Sequence, residues 1–273
     1  KEVAPNGNNR YDVIDKTSGS TSYRLQTNAH FNDEAAWYHL VCVSDTTNAL
    51  STNRVRLYVN GIRMDSFNTQ TYPSADYQSS AVNTTVEHEI CAFNGGSGYG
   101  MDGYMAEIHF IDGLALGPEH FGEFNAHDFW IPIEYSGTYG TNGFKIDGRD
   151  SSDLGDDESG NGNDFSVTNI SAHDQVLDSP TNNWCTINPL YRGTTGTDAN
   201  YGVVSNGMLF IEHSGSADGG QLCTTLFEAG KFYWEVYIMA GGNNSSYQLG
   251  SGIAAINNGY TKSDGRNEGA RTG

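Results

Sequence analysis

The feature that most constrains this fold is a strict alternation of apolar and polar residues that ends in a tight-turn signal. Val55, Leu57 and Val59 recur at every second position, which places them on one face of a β-strand. Asn60 and Gly61 follow directly, and both residues accept the positive φ that a two-residue hairpin requires. Because runs with apolar residues at helical spacing are nearly absent, the sequence predicts an all-β fold.

Further strands are predicted wherever apolar or alternating runs recur. They cover residues 36–43, 89–93, 104–111, 130–133, 143–146, 208–213, 222–227, 232–239 and 251–256, with a short helical turn at 118–122. In the run at 104–111, alternation puts Ala106, Ile108 and Phe110 inside and leaves Glu107 and His109 on the outer face. Short antiparallel strands of this kind are typical of a β-sandwich.

The net charge excludes one large class of partners. The 273 residues contain 14 Lys and Arg against 33 Asp and Glu, so the formal net charge is −19. A surface this acidic repels phosphate backbones, which excludes nucleic acid, and it attracts divalent cations. No run approaches the length of about 18 apolar residues that a membrane-spanning helix needs, so no membrane span is predicted.

The cysteines imply neither a metal finger nor a disulfide framework. Cys42, Cys91, Cys185 and Cys223 form no C-x-x-C pair, and no histidine stands at metal-finger spacing. The compartment therefore cannot be read from the cysteines alone. The chain begins with Lys1 rather than Met, and we expect both ends to be cuts inside a longer polypeptide.

Three blocks in the first half of the chain carry a family resemblance. They read WYHLV at 37–41, VRLYVNG at 55–61 and GYMAEIHFIDGLAL at 103–116. In residue type and order they resemble the concanavalin A-type jelly rolls of the laminin-G and pentraxin-like kind. The resemblance covers about residues 8–135, and it implies an antiparallel jelly-roll sandwich whose earliest strands are missing.

A second set of blocks resembles marine bacteriophage virion proteins of the tail-fibre or tail-associated kind. These blocks read WIPIEYSG at 130–137, DDESGNGNDF at 156–165, DSPTNNW at 178–184 and GKFYWEV at 230–236. The last block is similar to a strand of SPRY-type sandwiches. The resemblance implies a laminin-G-like domain over residues 1–135, an acidic, Gly- and Asn-rich spacer over 136–200 and the start of a truncated, incomplete SPRY-like β-sandwich over 201–273.

These resemblances imply a structural virion component of a bacteriophage, at the extracellular surface of the particle. We expect a tail-fibre or host-contact protein that binds host surface glycans or neighbouring virion subunits, and that forms homo-oligomers. Two alternatives stay open. The chain would serve as a capsid decoration or head-fibre protein if it were anchored elsewhere, or as a glycan depolymerase of the same fold.

The sequence does not favour catalysis. Glycosidases on this type of sandwich need two carboxylates that flank the sugar bond, commonly in an E-x-D-x-E strand. Glu107 and His109 are the nearest match, but no Asp stands at position 109, and the plainer interpretation is the polar outer face of a core strand. Signatures of serine or cysteine hydrolases are also absent. We therefore predict a protein that is not an enzyme.

Candidate binding residues fall into two groups, one aromatic and one acidic. Loop tyrosines can stack on sugars, and the best candidates are Tyr72, Tyr77 and Tyr99. The acidic residues crowd a Gly-rich loop in which hard oxygen ligands would suit calcium, the only cofactor that we expect. A solvated acidic loop is the alternative. The predicted metal ligands are Asp150, Asp153, Asp156, Asp157 and Asp164.

Overall fold

The computed structural model of this chain divides into two compact units, Lys1–Trp184 and Cys185–Gly273, and each is described by itself. The structure describes residues 9–17, 19–33, 36–92, 101, 103–176, 178–182, 185–192, 203–205, 208–212, 221–224, 231 and 233–237. Over these residues the regular structure consists of β-strands and short 3₁₀ turns. The predicted all-β class is confirmed. The predicted limits at residues 135 and 200 stay predictions, as does the second, incomplete sandwich.

The first unit contains ten strands among its described residues. They are β1 (Asp12–Thr17), β2 (Ser20–Thr27), β3 (Leu40–Ser44), β4 (Val55–Val59), β5 (Ile62–Arg63), β6 (Phe67–Thr71), β7 (Ile108–Phe110), β8 (Gly122–Phe124), β9 (Trp130–Pro132) and β10 (Phe144–Ile146). Antiparallel pairing joins them into two three-stranded sheets, β1-β2-β6 and β3-β4-β5, and two pairs, β7-β10 and β8-β9. The 3₁₀ turns span Ser51–Asn53, Pro118–His120 and Ala172–Asp174.

The hairpin between β4 and β5 matches the sequence prediction in both its faces and its turn. Val55, Leu57 and Val59 are buried, whereas the residues between them are only half-buried. Asn60 and Gly61 have φ values of 48° and 77°, the left-handed pair that a type I′ turn requires. The alternation of this strand is therefore confirmed.

The main core of the first unit includes a sheet that the sequence reading missed. Tyr23 and Leu25 of β2 pack with Val55 and Leu57 of β4 in one buried cluster, and they share it with six partly buried side chains. The six are Tyr11, Val13, Met64, Phe67, Tyr72 and Tyr77. The sequence patterns predicted no strand before residue 36, whereas β1 and β2 lie there. The implied absence of the earliest strands of the family fold stays a prediction.

The strand predicted at 104–111 is shorter than expected, and both of its faces are partly buried. It spans three residues, and Ile108, His109 and Phe110 are all half-buried. Glu107, just before β7, has a φ of 52°, a left-handed conformation that interrupts an extended chain. Both faces of β7 carry contacts, because His109 stacks on Tyr139 while Phe110 stacks on Phe144. The predicted alternation therefore fails here, and the described part of the run at 89–93 contains no strand.

The second unit contains four described strands: β11 (Ile187–Arg192), β12 (Val203–Ser205), β13 (Phe210–Glu212) and β14 (Gln221–Cys223). They form two antiparallel pairs, β11-β14 and β12-β13. Residues 233–237 are not in a strand, although the run at 232–239 predicted one. The run predicted at 251–256 lies outside the described residues. Among the described residues, no helix is long and apolar enough to cross a membrane.

Candidate functional site

The β7-β10 pair presents one face that combines aromatic and charged side chains. His109 of β7 lies directly opposite Lys145 of β10 in the antiparallel register, so both side chains point to the same side. The His109 ring stacks on Tyr139 with a centroid separation of 5.9 Å and an interplanar angle of 12°. Phe121 and Tyr135 complete the aromatic group, with their ring centroids 4.9 Å apart. This face is therefore walled by rings and lined with polar groups.

A chain of ion pairs runs along the same face. Lys145 Nζ lies 3.4 Å from the Asp147 carboxylate, and Arg149 Nε lies 3.5 Å from it. Arg149 also reaches Glu107, where its Nη2 is 3.2 Å from Oε1. Alternating signs at this spacing hold the four side chains in place, although the exposed members contribute little to stability. The network fixes donors and acceptors at the edge of the aromatic wall.

An open cleft of about 160 Å³ lies over this face. It is lined by Glu107, His109, Pro132, Ile133, Glu134, Tyr135, Lys145, Arg149 and Thr181. The lining brings together acceptor oxygens, cationic donors and an aromatic ring, which are the groups that bind polyhydroxyl ligands. This is the candidate functional site, and it lies within the first unit.

His109 is uncharged in this cleft at neutral pH. Desolvation by burial, reinforced by the nearby Lys145, lowers the pKa of His109 to about 4. Its Nδ1 lies 2.9 Å from the Tyr139 hydroxyl. With that bond satisfied, the ring can offer Nε2 to a ligand as a neutral hydrogen-bonding group.

The backbone beside the cleft is strained at Glu107. A φ of 52° is unusual for a residue with a β-carbon, and such outliers cluster at functional sites. Because of this left-handed residue, β7 begins only at Ile108. The Glu107 carboxylate contacts Arg149. The strain thus accompanies a carboxylate that faces the cleft.

The sheet next to the cleft is anchored by Trp130 of β9. Its Nε1 donates to His39 Nδ1 at 2.9 Å, and the two rings stack with centroids 5.8 Å apart. The indole lies directly on two glycines, since a β-carbon at Gly61 or Gly122 would stand 2.3 Å or 2.5 Å from its ring. Only glycine leaves room for the indole at these two positions.

Comparison with known families gives one match, in the first half of the chain. A family model described as the concanavalin A-like lectin/glucanases superfamily matches residues 2–119. Over residues 2–119 the chain is therefore similar to concanavalin A-like domains. The match includes Glu107 and His109 and suggests carbohydrate binding, while the other cleft residues lie beyond its end. No curated protein and no solved structure matches the chain.

The predicted glycan-binding tyrosines do not meet in one place that the structure describes. Tyr72 and Tyr77 pack against the main core of the first unit. Tyr77 also donates from its hydroxyl to the buried Asp15 at 3.0 Å and meets Tyr23 edge to face. Tyr99 lies outside the described residues. Neither Tyr72 nor Tyr77 lines the cleft, and the role of all three tyrosines in binding glycans stays a prediction.

The predicted metal segment is organised around the buried carboxylate of Asp157. Its two oxygens accept from the backbone amides of Lys145, Ser159 and Asn163 at 2.8–2.9 Å, and from the Ser159 hydroxyl at 2.8 Å. Although desolvation opposes the shift, these donors hold the pKa of Asp157 below its usual range. The carboxylate thus ties the acidic segment to β10.

The other predicted ligands lie around Asp157 without converging on one point. Asp150 accepts from Ser152, Asp153 from the Gly155 amide and Asp164 from the Asp157 amide. Desolvation and three neighbouring carboxylates raise the pKa of Asp156. Across the described residues, no group of three or more His, Cys, Asp or Glu side chains is arranged to hold a metal ion. Calcium binding by this segment stays a prediction.

Sequence reasoning found part of the cleft and missed the rest. It singled out Glu107 and His109, but it interpreted them as a plain outer face. Glu134 lies in the block at 130–137, and Lys145 and Arg149 lie in no motif. None was identified as a binding residue, because their proximity depends on the pairing of β7 with β10. The usable signal was the cluster of aromatic residues between positions 130 and 139.

Proposed function

We propose that this chain binds carbohydrate non-covalently, through the cleft beside Tyr135 in its first unit. The observation that carries the proposal is the joint presence of an aromatic wall, ion-paired cations and carboxylate oxygens over one sheet pair. The similarity of residues 2–119 to a lectin and glucanase superfamily supports it.

The chemistry of the cleft suits a sugar with several hydroxyl groups. Glu107 and Glu134 accept hydrogen bonds from hydroxyls, while Lys145 and Arg149 donate to ring and carbonyl oxygens. The Tyr135 ring, held against Phe121, offers an apolar surface on which the C–H groups of a pyranose can pack. Because Lys145, Arg149 and Glu107 are already ion-paired and the Tyr135 ring is packed on another ring, these groups lose little conformational freedom when a ligand binds.

Glu134→Ala is the direct test of this site. The residue is exposed and lines the cleft, so its removal should weaken binding without affecting the fold. Titration calorimetry with the best binder from a panel of neutral and acidic oligosaccharides should show a loss of about tenfold or more in affinity.

Glu123→Ala is the matched control, because it removes the same charge from an exposed position in β8 that does not line the cleft. Its affinity should equal that of the wild type. Equal affinity in both variants, or no binding to any member of the panel, would contradict the proposal.

We also propose that the protein is not an enzyme. Glu107 is held by Arg149 in an ion pair, which suits a fixed acceptor rather than a general acid. A depolymerase is the alternative that the structure itself raises, because Glu134 shares the cleft with Glu107. The same mixtures, assayed for reducing ends, distinguish the two: release of sugar that is lost in Glu107→Gln would make the chain a glycosidase.

The biological setting that we propose is the surface of a bacteriophage virion, in a tail-fibre or host-contact position. The support is the resemblance of the blocks at 130–137, 156–165 and 230–236 to phage virion proteins. Glycan binding by a host-contact protein would attach the particle to its host. Antibody labelling of virions in the electron microscope distinguishes a tail position from a capsid position, and particles without label would contradict both.

A further inference from the structure

Two cysteines of the second unit lie together at one end of the β11-β14 pair. Cys223 in β14 is the direct partner of Ile187 in β11, and Cys185 lies two residues before Ile187. Side chains two residues apart on an extended chain share a face, so Cys185 and Cys223 project to the same side of the pair.

The backbone pairing continues before Ile187, the first residue of β11, and holds Cys185 next to Cys223. The Thr224 amide donates to the Thr186 carbonyl at 2.8 Å, and the Thr186 amide donates to Thr224 Oγ1 at 3.0 Å. Diagonal neighbours across a flat ladder normally stand about 7–8 Å apart. Here the thiols are hydrogen-bonded to each other, and desolvation together with this neighbour raises the pKa of Cys223 to about 11.

We propose that Cys185 and Cys223 are a disulfide-forming pair that closes the β11-β14 end of the second unit. Both thiols are free and exposed in the structure, so a small oxidant can reach them. With glutathione disulfide as the oxidant, one thiolate attacks its S–S bond and forms a mixed disulfide with release of one glutathione. The second thiolate then displaces the other glutathione, so two thiol protons and two electrons leave the protein and two molecules of glutathione form.

The cross-link would join residues that are far apart in sequence but adjacent in the sheet. It closes a loop from residue 185 to residue 223 that contains β12 and β13. A link of this kind restricts the unfolded chain, and for a small unit it raises the thermal midpoint by about 10 °C. The sequence did not indicate this pairing, because the spacing of the two cysteines matches no motif.

The test uses the full chain with all four cysteines in place. Reduced protein is equilibrated with glutathione disulfide, alkylated with N-ethylmaleimide and mapped by mass spectrometry after digestion. We expect two alkylated residues, Cys42 and Cys91, and one internal cross-link between Cys185 and Cys223. This cross-link should exceed any other pair by more than about tenfold.

Two variants make the result specific. The double substitution Cys42→Ser and Cys91→Ser should leave the cross-link in place, whereas Cys185→Ser should leave Cys223 reactive towards N-ethylmaleimide. Four alkylated cysteines at equilibrium, a persistent glutathione adduct at Cys223, or a dominant link to Cys42 or Cys91 would overturn the proposal. None of these readouts depends on carbohydrate binding.

Discussion

At the scale of single residues, Asp157 shows how one buried carboxylate can organise an acidic segment. Six acidic side chains within fifteen residues would repel one another if they simply faced each other. Instead, Asp157 takes four donors from β10 and from its own loop, three of them backbone amides that would otherwise lack partners. The loop is therefore built by local hydrogen bonds, whether or not it also binds calcium.

Asp157→Asn should destabilise the first unit by about 1–3 kcal/mol, because an amide keeps one acceptor and turns a donor toward other donors. Folding lowers the pKa of this carboxyl. The Asp157 carboxylate therefore contributes to the free energy of unfolding in full above its unfolded-state pKa of about 3.9. This contribution is lost as the pH falls through the lower pKa of the folded state. Urea unfolding at pH 7 and pH 3 should show a smaller difference between variant and wild type at pH 3.

Asp156→Asn is the contrasting substitution in the same segment. The pKa of Asp156 is raised by desolvation and by the carboxylates of Asp164, Asp153 and Asp150, so removing its charge relieves repulsion. Its stability at pH 7 should equal or exceed that of the wild type. A loss as large as that of Asp157→Asn would show that total charge, rather than the Asp157 hydrogen bonds, holds the loop.

At the scale of elements, the sequence predicted what depends on local pattern and missed what depends on pairing. The β4 hairpin was predictable because its alternation and its Asn60-Gly61 turn are both local signals. β2 was missed because its buried face consists of Tyr23, Leu25 and Thr27, which do not read as an apolar alternation. The prediction for β7 was wrong because aromatic rings contact both of its faces. These rings are those of Phe121, Tyr139 and Phe144.

The contact of β8 and β9 gives a prediction at this scale. Gly122→Ala should cost about 1–3 kcal/mol, because the added methyl group would stand 2.5 Å from the Trp130 ring and force it to move. Chemical denaturation measures the change. In a Trp130→Ala background the same substitution should cost less than about 0.5 kcal/mol, because nothing then occupies the space. An equal cost in both backgrounds would mean that the indole is not the cause.

At the scale of the whole molecule, the cleft is assembled from segments that are distant in sequence. Glu107 and His109 come from one segment, Glu134 and Tyr135 from a second, and Lys145 from β10. Motif reading cannot bring these together, because the register of β7 against β10 is set by non-local packing such as the stacking of the Phe110 and Phe144 rings. The part of the site that follows residue 119 also lies beyond the family match.

A chain that ends at residue 135 should therefore fold less well than one that ends at residue 184. The shorter chain lacks β10 and the Asp178 carboxylate, which accepts a hydrogen bond from Trp37 Nε1 at 3.0 Å. In the shorter chain, β7 would lose its hydrogen-bonded neighbour β10, and Phe110 would lose its contact with the Phe144 ring. Differential scanning calorimetry should show a cooperative transition only for the longer chain, and equal transitions would place the limit of the folded domain at residue 135.

The ion-pair chain from Lys145 to Glu107 has a thermodynamic consequence. It joins the segments on either side of the cleft, so a ligand that engages both ends can bind only while β10 stays docked on β7. By mass action, occupancy suppresses every local opening that separates these strands. The amide protons of residues 108–110 and 144–146 would then exchange with solvent more slowly as sugar is added, which makes the sheet itself a reporter of ligand binding.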